Sequence, residues 1–235
     1  MKHMIEIENL RFDYGDGTPV LDVGSLDVAA GERIFVCGPS GCGKSTLLGL
    51  LTGILPSSPG TVRILGQDLA LLRPHQRDAF RGAHMGYVFQ SFNLLPYLSV
   101  AENIALPAGL SPERYERAGG STQAHREKAA QLAGKLGIGP LLERPVTSLS
   151  FGQQQRVAAA RALFGNPEIL VCDEPTSALD HLHRDRFLDV LMEVTRECGT
   201  TVIFVSHDVG IARRFDRTIE LAGINRAFRA STGDD

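Results

Sequence analysis

The sequence has no apolar run approaching the roughly 20 residues that a membrane-spanning helix needs. Any role at a membrane is then expected to depend on another polypeptide. The opening MKHMIEIENL carries charges throughout and offers no apolar stretch for a secretory signal. Cysteine is sparse. Cys37, Cys42, Cys172 and Cys198 form no CxxC pair, which speaks against a disulfide framework or a zinc site and for reduced thiols in the cytosol. Positive charge is not in excess: the net charge is -3, whereas domains that grip nucleic acid phosphates are usually basic, so no nucleic acid partner is expected. Long-period repeats and low-complexity tracts are also missing.

What is present is the composition of an ordinary soluble globular protein, 43% hydrophobic and 22% charged over 235 residues. That length holds one generous domain with a core needing no staples. Ile5, Ile7, Leu10 and Phe12 have the spacing of half-buried strands, and YGDGTP is a turn cluster. A short strand begins at Leu26, and RIFVC (33–37) is a compact apolar strand. It runs into GPSGCGKST and the helical LLGLLTG, after which TVRILGQDL reads as a further strand and turn. From about Ser91 to Ser148 strand signals vanish. AHREKAAQLAGKLG reads as a helix ended by Gly137, and PAGLSPERYERAGGSTQ as a loop between helices. A helix from about Gln153, the strand EILVCD, the helix LHRDRFLDVLMEVTREC, the strand TVIFVS and a last helix and strand ending near Leu221 complete an α/β pattern, which implies a mostly parallel sheet. The expected organisation is a single domain over 1–225, with a helical subdomain at about 91–155 inserted in the core and a disordered tail at 226–235.

Two segments carry chemistry. Gly38-Pro39-Ser40-Gly41-Cys42-Gly43-Lys44-Ser45, followed by Thr46, matches GxxxxGK[ST] between a strand and a helix. Such glycines let backbone N–H groups converge on phosphate oxygens. Lys44 adds a point charge, Ser45 can ligate Mg²⁺, and the helix N-terminus adds its dipole. Cys42, inside this loop, reads as a small tolerated residue before it reads as a regulatory thiol. Further on, Ile169-Leu170-Val171-Cys172 ends in Asp173 and Glu174. With a phosphate loop upstream, Asp173 is suited to Mg²⁺ and Glu174 to polarising a water for attack on the γ-phosphate.

A third segment, Leu149-Ser150-Phe151-Gly152-Gln153-Gln154-Gln155-Arg156, has Ser150 and Gln153 spaced as a capping box, so it opens a helix. It resembles the LSGGQ signature of the ATP-binding-cassette (ABC) family, with Phe151 where that family most often has Gly. The family's order of motifs spans nearly the whole chain. Tyr14 is similar to the aromatic that stacks on adenine, and Gln90 to the glutamine-loop residue between core and helical subdomain, a metal ligand. Ser177-Ala178-Leu179-Asp180 is similar to the D-loop, and His207 to the switch histidine. The resemblance implies a P-loop NTPase (RecA-like) core with an N-terminal antiparallel β-subdomain, and ATP with Mg²⁺ as ligands. It implies Lys44, Gln90, Glu174 and His207 as catalytic groups. It also implies Gln153 and Asp180 as cofactor-binding residues, and a head-to-tail homodimer in which Ser150 and Gly152 of one chain cover the γ-phosphate held by the other.

MGYVFQSFNLLPYLSVAENIALP resembles the lipoprotein-release and macrolide-exporter type (LolD- and MacB-like). This implies an integral membrane permease as partner and a place on the cytoplasmic face of the inner membrane. The apolar cluster Phe92, Leu94, Leu95, Pro96, Tyr97 and Leu98 is the expected docking surface. A non-transport ABC ATPase of cell division, translation or repair is the alternative. ELAGIN, with Ala222 where the family has an Asp-Gly turn, leaves the last strand pair unassigned and says little about chemistry.

Overall fold

Alternation of apolar and polar residues builds the first sheet. β1 (His3–Phe12) buries Ile5, Ile7 and Leu10, and β2 (Leu21–Ala29) buries Leu21, Val23, Leu26 and Val28. The two pair antiparallel from Ile5↔Val28 to Phe12↔Leu21. β3 (Arg33–Cys37) is apolar on both faces, as parallel strands are. The phosphate loop follows it and α1 (Lys44–Leu51) begins at once. β4 (Val62–Ile64) and β5 (Gln67–Asp68) extend the antiparallel sheet to the order β2-β1-β4-β5. α2 (Pro74–His84) comes next.

The structure is a computed structural model that describes residues 3–177 and 179–232, without the side chains of 231 and 232. The chain divides into two compact units, Met1–Arg81 with Ile203–Asp235, and Gly82–Val202. In the second unit β6 (Met85–Val88) pairs parallel with β7 (Ile169–Asp173), from Met85↔Ile169 to Val88↔Cys172. Between these strands run α3 (Val100–Leu110), α4 (Pro112–Arg117), α5 (Thr122–Lys135) and α6 (Phe151–Leu163). At Gly86 β6 lies close against α6: a Cβ there would stand 2.2 Å from the Ala162 carbonyl oxygen, so only glycine fits. α7 (His181–Cys198) ends at Gly199, whose φ of 64° supplies the left-handed C-cap. β8 (Thr201–Val205) carries the chain back to the first unit, where β9 (Arg217–Glu220) pairs parallel with β3, from Ile34↔Arg217 to Cys37↔Glu220. Phe35, Phe204 and Phe215 cluster beneath them, with centroids 5.1–6.4 Å apart.

Two expectations are corrected here. PAGLSPERYERAGGSTQ is not a plain loop, because α3 continues through Pro107 and α4 fills its centre. Ser111 caps α4 by accepting from the Arg114 backbone N–H, Pro112 stands at N1, and Arg114 anchors the helix below the surface. Its guanidinium donates to the carbonyls of Ala162, Phe164 and Met85. Burial, then the charge of Arg117, lowers its pKa to about 10. The tail expected to be disordered at 226–235 is instead helical over α9 (Arg226–Thr232), which follows α8 (Leu221–Ile224), and the buried Asn225 between the two helices bonds to β2. Residues 233–235 of that expectation, and Ala178 of the D-loop match, lie outside the described residues.

Candidate functional site

In the first unit the chain leaves β3 and turns through Gly38, Gly41 and Gly43, at φ of 150°, 82° and 98°. A Cβ on Gly43 would stand 2.6 Å from Leu21 Cδ2, so this residue lets the loop rest directly on the start of β2. α1 then starts with no side-chain cap and no acidic residue in its first turn. Its leading N–H groups are thus left for another acceptor, at the positive end of the helix dipole, which suits an anion. Lys44 Nζ curls over the loop and donates to the Gly38 carbonyl at 2.8 Å and to the Pro39 carbonyl at 3.0 Å. Pro39, Ser40, Gly41 and Ser45 are exposed, and Thr46 is buried.

Tyr14 is brought to the same place. Its hydroxyl lies 3.0 Å from Thr46 Oγ1, its ring stands edge-on to Phe12, and 62% of the residue is exposed, leaving a face for a flat ligand. His207, exposed, follows β8, where the Ser206 N–H donates to the Val36 carbonyl at 3.2 Å. Cys42 differs from the rest. It is fully buried, its sulfur 2.7 Å from where a Gly38 Cβ would be, and burial pushes its thiol pKa up. It can meet a ligand only through its backbone.

In the second unit the buried strand β7 delivers Asp173 and Glu174, both half-buried, at its carboxyl end. Glu174 holds φ at +46°, a left-handed conformation that costs a non-glycine residue roughly 1–3 kcal/mol and recurs where a side chain must be aimed. Tyr87, on the neighbouring β6, was missed by the sequence reading. Burial, then the adjacent Asp173 carboxylate, pushes its hydroxyl pKa up. Tyr87 is thus a neutral partner beside Asp173. Only the β6–β7 register, Tyr87↔Val171, could have pointed to it. Gln90 is exposed just beyond β6.

The signature segment forms the expected capping box. The Ser150 N–H donates to Gln153 Oε1 at 2.9 Å, and the Gln153 N–H to Ser150 Oγ at 3.4 Å. Gln153 therefore uses its side-chain oxygen to shape the turn, and the box satisfies the backbone N–H groups of Ser150 and Gln153. A hollow of about 350 Å³ opens beside Ser150 and Gly152, lined also by Arg156, His183 and Arg186. Asp180 caps α7, accepting from the His183 N–H at 2.9 Å, with His183 Nδ1 2.8 Å from its other oxygen. These bonds hold its pKa below the usual carboxylate range.

Comparison with known proteins relates the whole chain to one family. The family described as ABC transporter matches residues 21–177. The chain is 39% identical over 235 residues to the macrolide export ATP-binding/permease protein MacB of Syntrophobacter fumaroxidans, covering 98% of this chain and 32% of that one. It is 38% identical to the lipoprotein-releasing system ATP-binding protein LolD 2 of Rhodospirillum rubrum, over 93% of each chain. Among solved structures, the dimeric post-hydrolysis state of the ATP-binding cassette MJ0796, bound to ADP and Pi, superposes with a TM-score of 0.80. That match has 32% identity and covers 92% of this chain and 94% of the other.

Proposed function

The chain belongs to the ABC transporter family, as an ATP-binding and ATP-hydrolysing subunit, and from that premise we propose that it energises a separate integral membrane permease of the lipoprotein-release or macrolide-export type. The observation that carries the reading is the phosphate loop: three glycines in left-handed backbone, an uncapped α1 N-terminus and Lys44 folded over the loop make a built cradle for a triphosphate. The names of the LolD and MacB relatives support the subtype.

In this reading residues 38–46 hold the phosphates of ATP and Tyr14 stacks on the adenine. Oxygen donors that Mg²⁺ takes are present in Ser45, Asp173 and Gln90. Among the described residues no three His, Cys, Asp or Glu side chains gather into a protein-only metal cluster. That fits an ion which takes its remaining ligands from phosphate and water. When bound, Mg²⁺ supplies charge neutralisation on the β- and γ-phosphates. Tyr87 and the end of β7 hold Asp173 for this role. Glu174 orients the water that attacks the γ-phosphorus, and the bond from that phosphorus to the bridging oxygen breaks to leave ADP. His207 contacts the γ-phosphate. Ser150, Gly152, Gln153 and Asp180 serve the ATP of a second copy in a head-to-tail homodimer, a state for which the dimeric MJ0796 neighbour is the precedent.

We read 1–225 as one ABC ATPase domain on the cytoplasmic face of the inner membrane, held there by the permease. No helix among the described residues is long and apolar enough to cross a membrane. The permease docks on the second unit beyond Gln90. There Phe92 is buried, but Pro96 and Tyr97 are exposed. Nearby, Phe89, Leu106, Pro107 and Leu110 line an apolar groove of about 260 Å³. The test is ATP turnover by the chain reconstituted in lipid vesicles with a permease that co-purifies with it. The complex should exceed the isolated chain, and Lys44→Ala should abolish turnover without lowering the melting temperature. A Lys44→Ala protein with normal turnover overturns the reading.

A further inference from the structure

The segment that follows β9 lies against the phosphate loop. The β3–β9 register sets Cys37 beside Glu220, so α8 begins next to the loop, and the Ala222 nitrogen would stand 3.6 Å from a Cβ on Gly38. One turn later comes Asn225, with no exposed surface. Its Nδ2 donates to the Val20 carbonyl at 2.9 Å and to the Cys42 carbonyl at 3.1 Å. Its Oδ1 accepts from the Asp22 N–H at 2.9 Å and from the Ala227 N–H at 3.2 Å. All four hydrogen-bonding positions of the amide are used.

The two carbonyls belong to different loops. Val20 closes the loop that bears Tyr14, its N–H bonded to the Phe12 carbonyl at 2.8 Å. Cys42 is in the phosphate loop. One NH₂ group therefore fixes the distance between the base side and the phosphate side of the nucleotide site. Among the described residues two further contacts join these sides, the van der Waals seat of Gly43 on Leu21 and the part-buried Tyr14–Thr46 hydrogen bond, and Asn225 is the fully buried member of the set.

We propose that Asn225 is a positioning residue for ATP, holding the Tyr14 loop and the phosphate loop at the separation that a nucleoside triphosphate spans. The inference rests on the reading of this loop as the ATP site. Its consequence is selective. A ligand that touches both sides should lose affinity when Asn225 is removed, whereas one that touches the phosphate side alone should not. Loss of general stability would weaken both alike.

The experiment is calorimetric titration of wild type, Asn225→Ala and the volume-keeping Asn225→Leu with Mg²⁺-ATP and with Mg²⁺-tripolyphosphate, beside thermal melts. In the variants ATP should bind about tenfold more weakly, equivalent to ~1.4 kcal/mol, and tripolyphosphate less than about threefold more weakly. Unchanged ATP affinity in a folded variant, or equal losses for both ligands, overturns the proposal. A wild-type chain that binds neither ligand overturns instead the ATP-site reading beneath it. If neither variant folds, hydrogen exchange on wild type decides. ATP should slow exchange at the Asp22 and Ala227 amides more than tripolyphosphate does, and no difference contradicts the coupling.

Discussion

The ring of Phe151 stands 4.6 Å from that of Phe92, the two planes tilted by 55°. The residue that departs from the family's signature is thus packed against its own chain, on the segment that follows Gln90. Two further bonds fasten the same segment to α6: Arg161 donates to the carbonyls of Phe92 at 2.5 Å and Asn93 at 2.6 Å, residues held at φ of 60° and 49°. An aromatic pair of this kind contributes ~0.5–1.5 kcal/mol. Phe151→Ala should therefore lower the melting temperature by about 1–6 °C for a chain of this size. A melt equal to wild type would mean that the ring contact contributes nothing.

Thiol reactivity should follow burial. Cys37, Cys42 and Cys172 are buried, and burial is the first cause of the raised pKa of each. Cys198 is the one thiol of intermediate exposure. In the native protein at neutral pH, maleimide should label Cys198 well before Cys42, as read by peptide mass spectrometry. Fast native labelling of Cys42 would contradict the inward sulfur.

Acid stability should depend on Glu168. Burial alone would raise its pKa, but hydrogen bonds from His84 and Arg117 take it from 4.5 down to about 2. A depressed carboxylate stabilises the fold fully above its unfolded pKa and loses that contribution as pH falls through the folded value. The loss should run from about pH 4.5 to pH 2 and amount to ~1–2 kcal/mol after allowing for its partial exposure. Glu168→Gln should flatten the denaturation curve in that window. An unchanged curve would remove Glu168 from the acid response.

The local parts of the site were legible because their signals are local. RIFVC followed by the glycine loop is β3 with α1 behind it, at the expected residues. The strand ending in Asp173 and the Ser150–Gln153 capping box are also where spacing put them. What stayed hidden depends on distant contacts. Asn225 bonds to residues 183 to 205 positions away, which no window of the sequence displays. α4 lies in a stretch whose Gly, Pro and Ser content reads as loop, although Ser111-Pro112 is a helix-start signal, and its anchor is the buried Arg114. Phe151 gave no hint of its partner, since Phe92 is close only after folding.

The central claim is a site completed by two chains, and the most direct measurement is mass in solution, by light scattering, of Glu174→Gln with and without Mg²⁺-ATP. The substitution keeps the side chain's shape and removes its negative charge, so ATP should bind, hydrolysis should nearly cease, and repulsion between that carboxylate and the γ-phosphate should disappear. The account predicts a dimer with ATP and a monomer without it. It also predicts that adding Ser150→Arg restores the monomer, because the long side chain fills the space over the signature turn. A Glu174→Gln protein that binds ATP tightly yet stays monomeric at high concentration, with its permease present, would contradict it.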